Sequence, residues 1–152
     1  MEKILVTGAA GFIGSNLCDA LLAKGYAICA VDNLSQSTTR NIERHLGSPG
    51  FEFVQEDVRN EEAIRRLAQD AGIIVHLAAF KIPRYGNALD TLTINVHGTE
   101  SVLKAALKDE FETSARRDIV LVLSVGGDRC QTARPSLHHV LPPQPAFFRE
   151  IR

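Results

Sequence analysis

The chain has 152 residues, of which 45% are hydrophobic and 23% charged, with a formal net charge of −1. This size and composition are ordinary for one globular domain, and the small net charge excludes the electrostatic attraction of basic proteins to nucleic acid or anionic membranes. No apolar run approaches the roughly 20 residues that span a membrane. With no signal-peptide layout at the start and three irregularly spaced cysteines, we expect a cytoplasmic protein.

Short apolar runs alternate with helical patterns from the start of the chain, which predicts a parallel sheet covered by helices. The first run, 4–6, leads into a glycine-rich turn and then a helix that stops at Gly25. A second strand over 27–31 ends on Asp32, and the spacing indicates a short helix over 40–46.

The same alternation continues beyond residue 50. A third strand covers 51–55, and Asn60 predicts the start of a helix that Gly72 ends. Residues 73–75 form the most apolar strand, and 119–123 a fifth strand. Between these two strands, a long helix is predicted over residues 87–109. We expect its sheet-facing side to contain Leu92, Val96, Leu103, Ala106 and Leu107.

The character of the chain changes after residue 124. Residues 128–152 hold four of the six prolines and neither lysine nor tyrosine, and they show no helical or strand period. We therefore predict a Rossmann-type α/β domain over 1–124, truncated after about the fifth strand, and an irregular or disordered tail over 125–152.

Three glycines lie between the first strand and the first helix, at Gly8, Gly11 and Gly14. In a dinucleotide-binding turn, one glycine permits the tight turn, a second lets the backbone approach a pyrophosphate, and a third allows close packing of helix and strand. The helix N-terminus then offers free N–H groups to the phosphates. The alternative is a tight turn that binds nothing.

Asp32 follows the second strand, 18 residues beyond Gly14. A carboxylate at this place accepts hydrogen bonds from the ribose hydroxyls of the adenosine and repels a 2′-phosphate, which favours NAD over NADP. Its alternative role is that of a turn residue at a strand end. Arg40 lies eight residues further on and is expected to be solvated rather than to bind a phosphate.

Five segments together resemble the extended short-chain dehydrogenase/reductase family, the sugar-nucleotide epimerases and dehydratases, with the galactose epimerases as the nearest branch. They occur in the family's order, and the resemblance as a whole covers about four-fifths of the chain. The segments are TGAAGFIGSNL at 7–17, VDNLS at 31–35, EDVR at 56–59, VHLAA at 75–79 and NVHGT at 95–99.

The resemblance implies NAD as the cofactor and a role for several residues. The backbone of Phe12 and Ile13 contacts the pyrophosphate. Asp57 accepts from the adenine amino group, beside the Val58 N–H, and Lys81 reaches the ribose or phosphate near the nicotinamide. Alternatively, Asp57 caps a turn and Lys81 is a solvated loop charge.

The family resemblance also implies roles for further residues. Asn33 belongs to the ribose-binding strand end, and the small Ala78 and Ala79 let the cofactor lie close to the fourth strand. Asn95 and His76 are interpreted as structural residues of the interior.

The catalytic pair of the family is absent from the sequence. In the family, a tyrosine takes the hydroxyl proton of the sugar and a lysine four residues later lowers the pKa of that tyrosine. Here Tyr26 is followed at that spacing by Ala30, and Tyr85 by Leu89. Ser124 matches the catalytic serine position only as a vestige, since the resemblance stops at the next residue.

The sequence therefore predicts the NAD-binding portion of a sugar-nucleotide epimerase or dehydratase that is inactive alone. The alternative is a non-catalytic NAD-binding module or a nonfunctional fragment. A frameshift or a truncation explains the loss of the pattern near residue 125, and an uncovered sheet edge predicts self-association. A metal site is rejected, because His138 and His139 have no third ligand at a suitable spacing.

Overall fold

The computed structural model describes residues 1–80, 88–107 and 118–121. Five parallel strands in this part of the chain form one sheet in the order β3-β2-β1-β4-β5, which confirms the predicted α/β class. The strands are β1 (Lys3–Thr7), β2 (Ala27–Asp32), β3 (Phe51–Gln55), β4 (Ile73–His76) and β5 (Asp118–Leu121). The helices are α1 (Phe12–Ala23), α2 (Glu61–Ala68), α3 (Ala88–Leu92) and α4 (Thr99–Ala106).

The central strands are buried on both faces, which explains why their sequences are continuously apolar rather than alternating. On one face, Ile4 and Val6 of β1 pack with Cys18 and Leu21 of α1. On the other face, Leu5 belongs to a second cluster. That cluster includes Cys29, Val31, Ile64, Ile74 and Val102. Strand β1 therefore contributes side chains to the hydrophobic clusters on both faces of the sheet.

Several predicted details of these elements are confirmed. The Asn60 side chain accepts a hydrogen bond from the Ala63 N–H at 3.3 Å and caps α2, whose positive end also carries Glu61 and Glu62. Cys18 and Cys29 are buried as free thiols, and burial raises their pKa values to about 12 and about 11. At these values both thiols stay protonated and act as core residues.

The predicted helix over 40–46 is replaced by two 3₁₀ turns, Thr39–Asn41 and Glu43–His45. Asp19 of α1 accepts a hydrogen bond from Arg44 Nε at 2.9 Å and also pairs with His45. Both side chains of the second turn are thus directed to α1. These contacts with α1, together with the break at Ile42, outweigh the weak helical pattern of the segment.

The predicted long helix is helical through its described part, but its α-helical ends flank a π-helical segment, Thr93–Gly98. The expected sheet-facing side is wrong at four of its five positions, Leu92, Val96, Leu103 and Leu107. Leu92, Val96 and Leu103 are 59%, 51% and 39% exposed. A π-helical turn holds more residues than an α-helical turn, so it shifts the phase of the periodicity on which the prediction relied.

The buried side of this helical segment is made mostly of small residues. Val102, Ala105 and Ala106 are at most 6% exposed, whereas Leu107 is 75% exposed. Only Ala106 of the predicted set therefore faces inward. Small side chains permit the close approach of α4 to α2, which a helix facing inward through leucines would prevent.

The fifth strand begins one residue earlier than predicted, at Asp118. The predicted loop around Pro83, the end of the long helix at 109, the end of the fifth strand and the tail over 125–152 lie outside the described residues. No helix in the described ranges is long and apolar enough to cross a bilayer.

Strand order reverses at β1, because β2 and β3 lie on one side of it and β4 and β5 on the other. In open parallel sheets, such a switch point leaves a crevice outside the carboxyl ends of the two central strands. The glycine turn follows β1, and the segment from Leu77 follows β4. The fold therefore brings these two segments to the same crevice.

Candidate functional site

The turn after β1 requires glycine at Gly8 for two reasons. Its φ is 70°, a left-handed conformation that side chains disfavour, and a Cβ atom there would lie 2.7 Å from the Ala78 nitrogen. The Gly8 carbonyl also accepts a hydrogen bond from the Gly11 N–H at 3.1 Å. The turn is thus closed on itself and pressed against the segment that follows β4.

Gly14 lets α1 pack directly on this turn. A Cβ atom at Gly14 would lie 2.2 Å from the Gly8 carbonyl oxygen, far inside van der Waals contact. At Gly11 the same distance is 3.2 Å, so that position is less crowded. The three glycines therefore serve a tight turn, an accessible backbone and close helix packing.

The N-terminus of α1 is left without any compensating side chain. Gly11 is its N-cap residue, and the first turn contains no acidic residue. Among the described residues, no acceptor is recorded for the amides of Phe12, Ile13 and Gly14, which begin the helix. Three free N–H groups and the positive end of the helix dipole therefore face the crevice, an arrangement that suits an anion.

Asp32 accepts three hydrogen bonds at the end of β2. The donors are the Leu34 N–H at 2.8 Å, the Ser37 hydroxyl at 2.9 Å and the Ala10 N–H at 3.0 Å. An ionised carboxylate has about four acceptor positions, so one of them, on Oδ2, is left by the described residues. Asp32 therefore serves as a turn residue and keeps one acceptor for a ligand.

The Asp57 carboxylate is used differently. Arg59 donates to Oδ1 through its backbone N–H and Nε, both at 2.9 Å, and to Oδ2 through Nη2 at 2.7 Å. Asn33 Nδ2 also donates to Oδ2 at 2.9 Å. The Arg59 hydrogen bonds hold the pKa of Asp57 far below its usual range. This carboxylate is ionised, and its four acceptor positions are all taken.

A buried histidine connects the glycine turn with α4. His76 Nδ1 lies 2.6 Å from the Thr7 hydroxyl, and Nε2 lies 3.2 Å from the Thr99 hydroxyl. Thr99 donates its one proton to the Asn95 carbonyl at 2.7 Å. Thr99 therefore accepts from His76 Nε2–H, and Thr7 donates to Nδ1.

His76 is consequently a neutral, satisfied core residue, as the sequence predicted. Burial lowers its pKa to about 4. The chain of donors also reaches the segment after β4, because the Ala78 N–H donates to the Thr7 hydroxyl at 3.4 Å.

The Asn95 side chain fixes the next part of that segment. Its Oδ1 accepts from the Phe80 N–H at 2.8 Å, and its Nδ2 donates to the Phe80 carbonyl at 3.0 Å. The paired bonds satisfy both backbone polar groups of one residue, Phe80. The interpretation of Asn95 as a structural residue agrees with these contacts.

A cavity of about 410 Å³ lies between these segments, within the usual range for small-molecule sites. Ten of the predicted cofactor residues line it. They are Gly8, Gly11, Phe12, Ile13, Gly14, Asp32, Asn33, Val58, Ala78 and Ala79. Neither Asp57 nor Arg40 is among the lining residues, and Arg40 is exposed on a 3₁₀ turn. Lys81 and Ser124 lie outside the described residues, as do His138 and His139.

Seven lining residues were not predicted as site residues. They are Ser35, Gln36, Ser37, Glu56, Leu77, Phe80 and Ile94. Three of them, Ser35, Glu56 and Leu77, lie inside the segments that carry the family resemblance, so the signal was present. Ile94 lies in the π-helical segment, which no sequence pattern indicated.

This geometry defines a Rossmann-type domain with a cavity at its switch point, lined by a helix N-terminus and by carboxylates. The sequence pattern of the NAD dependent epimerase/dehydratase family matches residues 4–125. The chain belongs to that family.

Known proteins with similar sequences or structures include sugar-nucleotide enzymes. UDP-glucose 4-epimerase of Mycolicibacterium smegmatis is 39% identical over 107 residues, or 68% of this chain. UDP-glucuronic acid decarboxylase 2 of Arabidopsis thaliana is 34% identical over 106 residues, also 68% of the chain. The structure of UDP-glucose-4-epimerase from Stenotrophomonas maltophila, with bound NAD and formylated UDP-arabinopyranose, superimposes with a TM-score of 0.62 at 31% identity over 69% of the chain.

The chain spans a minor part of these relatives. The matched regions cover 34% of the Mycolicibacterium epimerase, 23% of the Arabidopsis decarboxylase and 33% of the Stenotrophomonas epimerase. The similarity therefore concerns one portion of such enzymes.

Proposed function

We propose that residues 1–124 bind NAD and constitute the cofactor-binding portion of an enzyme that acts on sugar nucleotides as an epimerase or dehydratase. The observation that carries this proposal is that an uncapped helix N-terminus and a carboxylate that keeps one free acceptor line the same cavity. A dinucleotide needs both at once, since its pyrophosphate is an anion and its ribose hydroxyls are donors.

The phosphate end fits the pyrophosphate because it combines charge with access. The amides of Phe12, Ile13 and Gly14 supply donors, and the glycine at position 11 keeps side-chain atoms away from them. The exposed Phe12 side chain, at 84%, leaves the helix end open to a ligand.

The nucleoside end favours NAD over NADP. The remaining acceptor position of Asp32 suits a ribose hydroxyl, and its negative charge would repel a 2′-phosphate at the same place. The Ser35 and Ser37 side chains line this part of the cavity and offer hydroxyl groups rather than cations. Bound NAD would supply hydride chemistry, which this chain by itself is not equipped to direct.

We further propose that the chain alone does not turn over a sugar nucleotide. Neither Tyr26 nor Tyr85 has a lysine four residues later, so neither forms the catalytic pair of the family. A second candidate function is favoured by this observation, namely an NAD-binding module without catalysis. Turnover by the chain alone is expected for neither candidate, and NAD binding is common to both.

The test is calorimetric titration of the 152-residue chain with NAD and with NADP, followed by assays with NAD and UDP-glucose. We expect NAD to bind at least about tenfold more tightly than NADP, since one charge-assisted hydrogen bond is replaced by a repulsion. Preference for NADP would refute the role of Asp32, and measurable epimerisation would refute the claim of inactivity.

We also propose that the isolated chain self-associates. The segment 88–107 exposes five large apolar side chains to solvent. They are Leu89, Leu92, Val96, Leu103 and Leu107. Burial of such side chains against a second copy of the chain would favour association. Sedimentation velocity at several concentrations tests this, and a single monomeric species throughout would count against it.

A further inference from the structure

One residue of the glycine turn, Ala10, is held at both of its backbone polar groups. Its N–H donates to Asp32 Oδ2 at 3.0 Å, and its carbonyl accepts a hydrogen bond from Asn41 Nδ2 at 2.7 Å. Ala10 is fully buried, and within the described residues no other donor to this carbonyl is recorded. The orientation of the carbonyl therefore depends on Asn41, a side chain 31 residues further along the chain.

The carbonyl of Ala10 shares a peptide with the Gly11 N–H, which donates to the Gly8 carbonyl at 3.1 Å. Because a trans peptide is planar, its C=O and N–H point in opposite directions. Asn41 on one side and Gly8 on the other therefore fix the plane of the peptide between Ala10 and Gly11. Glycine has no Cβ atom to resist a change of φ, so a peptide that ends on glycine needs such an external hold.

This peptide leads directly into the proposed anion site. Gly11 is the N-cap of α1 with φ −71° and ψ 172°, and its carbonyl accepts a hydrogen bond from the Ser15 N–H at 2.9 Å. The amides of Phe12, Ile13 and Gly14 follow at once. A change in the plane of the peptide changes the direction in which Gly11 enters the helix, and with it the direction of these three unpaired N–H groups.

Asn41 is held in place by contacts of the next residues with α1. Ile42 is fully buried in the same hydrophobic cluster as Cys18 of α1. Beyond it, Arg44 Nε donates to Asp19 Oδ1 at 2.9 Å. Asn41 itself is exposed, so it contributes little to the core, and it is not among the residues that line the cavity. The core and α1 therefore present the Asn41 amide to the glycine turn.

Building on the proposed binding of NAD, we propose that Asn41 is a positioning residue for the pyrophosphate. It does not touch the ligand. It holds the peptide between Ala10 and Gly11 in the orientation that directs the first amides of α1 to the crevice. Without this donor the turn samples other orientations, and the apparent affinity falls in proportion to the fraction of chains that keep the competent one.

The experiment compares the unmodified chain of 152 residues with Asn41→Ala and with a matched control, Asn16→Ala. Asn16 is also exposed, and its Nδ2 donates to the Phe12 carbonyl at the same distance, 2.7 Å. The Phe12 carbonyl lies within α1 and also accepts from the Ser15 hydroxyl at 3.2 Å, so it keeps its orientation without Asn16. Both substitutions shorten an exposed amide side chain and leave the net charge unchanged.

Titration calorimetry with NAD gives the first affinity. Repeating it in the presence of adenosine gives the affinity for adenosine, which carries no phosphate. Urea unfolding without ligand gives the stability of each chain. We expect Asn41→Ala to bind NAD about fivefold more weakly, the effect of one neutral hydrogen bond. Its adenosine affinity should not change, because the pyrophosphate is missing from that ligand, and Asn16→Ala should change neither affinity.

Several results would overturn the assignment. If Asn41→Ala binds NAD as tightly as the unmodified chain and only its urea midpoint falls, Asn41 has a structural role alone. Parallel losses of NAD and adenosine affinity would assign the effect to the loop over 33–37, and an equal loss in Asn16→Ala would show that the effect is not specific to the glycine turn. If the unmodified chain gives no heat of binding with NAD, the proposed function fails, and the assignment fails with it.

Discussion

At the phosphate end of the cavity, backbone packs on backbone: Gly14 lies over the Gly8 carbonyl, and Gly8 lies against the Ala78 nitrogen. At the nucleoside end, the walls are carboxylates whose acceptor positions are filled to different degrees by neighbouring side chains. Steric exclusion acts within tenths of an ångström, whereas a hydrogen-bonded carboxylate can exchange partners. We therefore expect substitutions at the first end to change folding and substitutions at the second to change ligand selectivity.

The largest effect is expected for Gly14→Ala. Because the new methyl group would lie 2.2 Å from the Gly8 carbonyl oxygen, α1 must move, and the free energy of unfolding should fall by about 3 kcal/mol. Urea unfolding followed by circular dichroism measures this. Gly25→Ala is the control. Nothing lies within 4 Å of a Cβ there, so only the cost of its positive φ remains, about 1 kcal/mol. Similar losses in both variants would contradict the steric argument.

The second prediction concerns pH and the histidine beneath the phosphate end. Burial lowers the pKa of His76 to about 4, so the unfolded chain binds a proton more readily. The free energy of unfolding is therefore unaffected by this group above about pH 6.5. It falls by about 3 kcal/mol as the pH drops from there towards 4. Urea unfolding at several pH values measures the slope. His76→Gln should flatten it, and an unchanged slope in that variant would show that other groups cause it.

The third prediction tests the nucleoside end through Asp32→Asn. Loss of the negative charge removes the repulsion of a 2′-phosphate and weakens the bond to the ribose, so the NAD-to-NADP affinity ratio should fall by about tenfold. Stability should change less than in Gly14→Ala, because the amide oxygen still accepts from the loop. Titration of both dinucleotides gives the ratio. If the variant unfolds, Asp32 is required for folding, as the glycines of the phosphate end are, and the predicted contrast is contradicted.

The smallest effect is expected for Gly98→Ala, in the π-helical segment that packs on Val58. A methyl group would lie 2.6 Å from Val58 Cγ2 but 3.4 Å from Val58 Cβ, and a side chain yields more easily than backbone. We expect a loss of about 1 kcal/mol in unfolding free energy and a modest loss of NAD affinity as Val58 shifts. A loss as large as that of Gly14→Ala would mean that the loop after β3 is as rigid as the glycine turn.

The sequence predicted the strands, the glycine turn and most of the lining residues, because these depend on local patterns. Continuous apolar runs indicate buried parallel strands whatever their neighbours are. It failed at Leu92, Val96 and Leu103, where a π-helical segment changes the period, and nothing in the sequence marks that segment.

The remaining differences come from contacts that are distant along the chain. The acceptor positions of Asp57 are filled partly by Asn33, 24 residues away, so the sequence alone cannot show that this carboxylate is occupied. Likewise, the helical pattern over 40–46 takes no account of the contacts that Arg44 and His45 make with Asp19 on α1.

The hydrogen-bonded chain from Ala78 through Thr7 and His76 to Thr99 has a consequence for how such a site can change over generations. Thr7, His76 and Thr99 each accept from one neighbour and donate to the next, so a substitution that reverses one bond leaves two groups unsatisfied. Selection would remove such variants as unstable before their affinity mattered. A new cofactor preference can therefore evolve mainly through mutations in residues 32–37 and 56–59. Mutations there change ligand recognition while the protein stays folded.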